Sequence, residues 1–170
     1  MMRKFLDWAI IVAATGFIAI LALSAVYDHT IIWLHVFQAL MYVAVIALVL
    51  RRDRLGYFLG VSIAALWNYT AMFVDNFFRN GLRALAHLTA TGQLTHPDQL
   101  IAVGAVTFHF VIIAAGLVLI VQTSRRAGAD LLRLIVVFAV STGYFAADVA
   151  LCQPRYLQLF PRMLHPHGLF

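Results

Sequence analysis

Glutamate is absent from this chain of 170 residues, and lysine and cysteine occur once each, as Lys4 and Cys152. A lone cysteine excludes an intrachain disulfide and an iron–sulfur cluster held by this chain. There is no Cys-x-x-Cys-His segment for covalent haem attachment and no glycine-rich loop to cradle a phosphate. All seven acidic residues are aspartates, against eleven arginines and one lysine, for a net charge of +5. The cations sit mostly at the ends of apolar runs and form no basic stripe, so the charge does not point to nucleic acid.

Apolar residues fill the space that charge leaves. They make up 64% of the chain, and the mean hydropathy is +0.92, a value soluble domains do not approach. Runs of about 20 apolar residues match the thickness of a bilayer. Five are read here, over residues 5–26, 31–50, 55–78, 100–122 and 131–152. They leave no room for a soluble domain, so the expected fold is one all-α integral membrane domain over 1–170, a bundle of five transmembrane helices in contact with the lipid bilayer. The first run is longer than the core of a cleaved signal peptide and is read as a retained helix. Residues 80–99 form the one long connection. Leu82, Leu85 and Leu88 recur there at helical spacing, which predicts an amphipathic helix on the outer membrane surface. Thr95-His96-Pro97-Asp98 reads as a helix start, with Thr95 as the capping hydroxyl. Residues 153–170 read as a tail on the outer surface. Its His165 and His167 read as incidental rather than as metal ligands.

Arg3, Lys4, Arg51, Arg52, Arg54, Arg125, Arg126 and Arg133 fall on one side of this layout, and Arg79, Arg83, Arg155 and Arg162 on the other. The excess marks the inner side. The expectation is a bacterial inner-membrane protein with its N-terminus cytoplasmic and its C-terminus outside.

One pattern occurs twice. His35 precedes Arg51-Arg52 by sixteen positions, and His109 precedes Arg125-Arg126 by the same spacing, 74 residues later. Each arginine pair is followed by an apolar run bearing a tyrosine and then an aspartate: Tyr69 and Asp75, then Tyr144 and Asp148. The landmarks predict a parallel repeat, with helices 2–3 related to helices 4–5 by an axis along the membrane normal. Sixteen residues rise roughly 24 Å, which puts both histidines in the outer half at one depth, with Asn68, Tyr69, Thr142 and Tyr144. Asp75 and Asp148 lie roughly 9–10 Å further out, with Asp28, His29 and Asn76. His35, Gln38 and Tyr42 form one helical stripe; Ser141, Tyr144 and Asp148 form another. Ala105 and Gly116 give His109 small neighbours. Polar stripes are costly in lipid and should turn inward, giving a polar core in the outer half and an apolar core in the inner half.

An ionisable side chain inside a membrane marks a functional site by default. Each also has a structural reading. A histidine can simply hydrogen-bond a neighbouring helix, Asp75 can pair with Arg79 one turn on, and the tyrosines can pack. Asp148 has no cation at that spacing. Four functions remain open. In the first, His35 and His109 ligate one haem b from diagonal helices of a bundle formed by helices 2–5, as in a small redox protein or subunit. In the second, a small-solute or ion transporter or channel uses Gln38, Asn68, Tyr69, Asp75, Tyr144 and Asp148 as its pathway. The third is a transition-metal site on the same histidines. The fourth is an accessory subunit. Assembly as a homo-oligomer or within a larger membrane complex fits all four.

Overall fold

The structure is a computed structural model and describes residues 1–124 and 126–164. Arg125, His165 and His167 therefore lie outside the described residues. The described chain is helical: α1 (Met2–Tyr27), α2 (Ile32–Leu50), α3 (Leu55–Tyr69), α4 (Phe77–Thr91), α5 (Pro97–Thr123), α6 (Ala127–Cys152) and the short α7 (Leu159–Met163). A 3-10 turn at His29–Ile31 leads into α2, a π-helical turn at Thr70–Val74 extends α3, and a 3-10 turn at Pro154–Gln158 leads into α7. Five helices are long and apolar enough to cross a membrane.

α3 is the central helix. Gly56, Gly60, Ser62 and Ala64 let it approach its neighbours closely, and it packs on α2, α5 and α6. α1 packs on α5 and α2. It buries Ile10, Ala13, Ala14, Phe17 and Leu21, so the core is not confined to the four helices expected to form it. At Gly116 of α5, an added Cβ would lie 2.6 Å from Val61 of α3, so this crossing requires a glycine. The two expected hairpins are not equivalent in packing. α2 packs on α3, whereas α6 packs chiefly on α3 and α2, and α5 on α1, α3 and α4.

Several boundaries differ from the sequence reading. The third run does not continue to residue 78. Asp75 is extended and breaks it, and its carboxylate accepts the Phe77 amide at 2.7 Å, opening α4. α4 is amphipathic as expected but is not simply laid on a surface. Gly81 and Ala84 bury against α5, where an added Cβ on Gly81 would meet the Gln99 carbonyl at 2.8 Å, while Leu82 and Leu85 stay exposed. α5 begins at Pro97 with His96 at the capping position, not Thr95, and no side chain caps it. α6 begins at Ala127, a turn earlier than expected, because Asp130 can enter its first turn and be satisfied there.

Polar side chains staple the arginine-bearing end. Arg54 reaches Asp130 at 2.8 Å, and Ser124 and Arg133 hold the same carboxylate. Tyr57 donates to Asp7 at 2.8 Å. The α2–α3 turn closes with Arg52 in the left-handed region, φ 57°, while the amides of Arg52 and Asp53 bond back to Val49 and Leu48. Arg126, from the second arginine pair, is instead extended at the start of α6. At the opposite end, Thr30 donates to Asp28 through its amide and hydroxyl, holding that carboxyl below its usual range. Arg155 and Gln153 reach back to Asp28 and Thr30, folding the tail over this end.

Candidate functional site

The two histidines hold different partners. His109, on α5, is 0% exposed. Its Nε2 lies 2.5 Å from the Tyr42 hydroxyl. Phe17 and Trp67 cover its ring at centroid distances of 4.1 and 4.6 Å. His35, on α2, is half-buried and donates from Nδ1 to the Leu21 carbonyl at 2.9 Å. Tyr42 stands seven residues beyond His35, roughly two turns. The ring contacts of His109 are therefore to Phe17, Tyr42 and Trp67 and do not include His35. Ala105, expected from the sequence as a small neighbour of His109, lines the cavity at His35, and His109 does not.

A haem ligated by both imidazoles does not fit this arrangement. It would need an open coordination direction at His109 Nε2, which Tyr42 occupies, and a slot beside a ring on which Trp67 is already stacked and against which Phe17 is tilted. Among the described residues, no three His, Cys, Asp or Glu side chains gather into a metal-ligating group.

The polar stripes of α2 and α6 do converge. Gln38 and Tyr42 meet Ser141, Tyr144 and Asp148 around a narrow cavity of about 30 Å³, closed on the α3 side by Leu66 and Trp67. Asp148 is 5% exposed, and neither of its oxygens meets an N–H or O–H donor of the protein; the Cys152 thiol, one turn on, is the donor beside it. The Ser141 hydroxyl is buried with no hydrogen-bond partner among the described residues. Tyr144 donates to the Phe37 carbonyl of α2 at 2.8 Å, which fixes α6 against α2.

A second cavity, of about 170 Å³, lies nearer the tail, roughly one turn along α2 and α3. On α2 the lining passes from Gln38 to Leu34, on α6 from Asp148 and Phe145 to Val149, and on α3 from Trp67 to Thr70 and Asp75. The tail closes it with Tyr156, Phe160 and Met163, and Tyr69 donates to the Met163 carbonyl at 2.7 Å. Tyr69 thus anchors the tail. Asn68 is buried with no protein partner for its amide. Burial pushes the Asp75 carboxyl from the usual 3.8 to about 6, opposed by the Phe77 amide.

The residue that joins these features is Trp67, which sequence reading passed over. It lines both cavities and the one at His35, stacks on His109, and meets Phe17 and Phe77 edge-on at 5.3 and 5.9 Å. A signal for it existed. Tryptophan in a membrane helix favours the interface, and an indole two residues before Tyr69 lies deeper than that. Comparison with known proteins supplies no relative for the arrangement: no family model, curated protein or solved structure matches this chain.

Proposed function

We propose that this chain is a small-solute membrane transporter in which Asp148 takes up a proton or a small cation. The observation that carries this reading is the buried Asp148 carboxylate, which has no cationic, N–H or O–H partner, only the weak Cys152 thiol beside it, and faces a cavity shared with Ser141. A bare carboxylate there costs several kcal/mol, so it is neutralised by a proton or a cation, and exchange of that partner is the elementary act of coupling. About 30 Å³ holds one or two water-sized groups, which suits a proton, a water or a small ion at this level. The wider cavity above it is the vestibule. Trp67 and Phe145 line both and form the partition between them. The apolar core around Val45, Val49, Ile112 and Leu119 is the closed side of the path. The arginine-rich end faces the cytoplasm of a bacterial inner membrane, following the distribution of cations.

The test is Asp148→Asn in proteoliposomes, an isosteric change that keeps the polar surface and removes the charge. Proton- or cation-coupled flux should be lost while the melting temperature stays close to the parent's. Unchanged flux in a folded variant removes the reading and leaves an accessory role.

A further inference from the structure

The vestibule has an uncommon lining for its size. Trp67, Phe77, Phe145 and Phe160 line it, with Tyr156 at the tail side, and its charged side chain is Asp75. Trp67 and Phe77 meet edge-on, so their faces point in different directions around the space. Phe145 of α6 and Phe160 of the tail are also in ring contact, at 6.3 Å. We propose that this vestibule binds a small organic ammonium ion, with Asp75 as counter-ion and the aromatic rings as the walls around its alkyl groups. The proposal rests on the transport reading for its biological sense, and names the solute class.

The chemistry selects this class over its competitors. A hard metal cation asks for six or more oxygens, whereas the side chains of this cavity offer one carboxylate and two hydroxyls, of which Thr70 already donates to the Leu66 carbonyl and Tyr156 already accepts from Arg155. A neutral apolar ligand would cover the Asp75 carboxylate without compensating it. A methylated ammonium spreads its charge over a surface that is also apolar, which aromatic faces and one carboxylate satisfy together. Cavities of about 150 Å³ admit a benzene-sized molecule, and a tetramethylammonium ion is of comparable size. The Tyr156 ring already holds a cation: the Arg155 guanidinium lies 4.9 Å from its centroid and is tied to Asp28 and Thr30 at the same end of the bundle. The tail that carries Tyr156 and Phe160 is thus fixed as one wall, with Tyr69 bonded to Met163 at its far end.

Equilibrium binding of tetramethylammonium and of choline to the purified full chain, followed by calorimetry and tryptophan fluorescence, tests the proposal. Binding should be saturable. Asp75→Asn, which keeps an oxygen for the Phe77 amide, should weaken it about tenfold or more, and Phe160→Leu severalfold. The neutral isostere of choline, 3,3-dimethylbutanol, should bind far more weakly. Absence of saturable binding, equal affinity for the neutral isostere, or unchanged affinity in a folded Asp75→Asn variant overturns the proposal. Ammonium binding without Asp148-dependent flux overturns the transport reading alone, and the converse result overturns this proposal alone.

Discussion

The hydroxyl of Tyr42 and Nε2 of His109 lie 2.5 Å apart across the centre of the bundle, joining α2 to α5, helices that both pack on α1 and α3. Phe17 of α1 lies against both rings, at 4.6 Å from Tyr42 and 4.1 Å from His109. A buried polar pair of this kind matters through what happens when one partner is removed.

Tyr42→Phe strands the imidazole in an apolar setting. It should cost about 1–3 kcal/mol, read as a lower melting temperature of the solubilised protein. Tyr42→Phe combined with His109→Leu removes both polar groups. The double variant should be more stable than the sum of the single effects predicts, by about 1 kcal/mol. Strict additivity would show that the pair is not coupled.

Asp75 gives stability a pH dependence of definite sign. Its carboxyl titrates near 6 in the folded chain against 3.8 ordinarily, so between these values the folded state keeps a proton that the unfolded state has lost. Stability therefore falls as pH rises from about 4 to 6, by roughly 1–3 kcal/mol, and the full penalty is present above that window. Melting curves of Asp75→Asn should lack this fall. An ammonium ion in the vestibule should offset it at neutral pH.

Arg52 occupies a left-handed position at the end of α2 where glycine is the usual residue. Arg52→Gly should therefore be neutral to stabilising, by up to about 1 kcal/mol, while glycine at most other helical positions destabilises. A clear drop in melting temperature would show that the guanidinium contributes contacts worth more than the backbone strain.

Topology can be read from a single thiol. Cys152 is half-buried at the end of α6 and is the one cysteine of the chain. In intact cells an impermeant maleimide should reach it from the outside. A tag at residue 128, near the start of α6, should be reached from the inside only. Labelling of residue 128 from outside overturns the orientation.

Five apolar runs, their order and the sidedness of their cations were legible in the sequence, because hydropathy and length are local properties that the bilayer reads directly. Gln38, Tyr42, Ser141, Tyr144 and Asp148 were legible as stripes for the same reason: a helix repeats every 3.6 residues wherever it is placed. Tertiary structure alone decided which stripes meet. α1 enters the core, so Phe17 and Trp67 pack against His109 where the histidine repeat had suggested a shared site with His35. Asp75 breaks the third run by accepting the Phe77 amide, and the tail returns onto Tyr69 and Thr30 to close the vestibule. Such contacts join residues far apart in the chain. They depend on helix rotation and on the choice of neighbour, which a periodic pattern leaves free and packing of complementary shapes fixes.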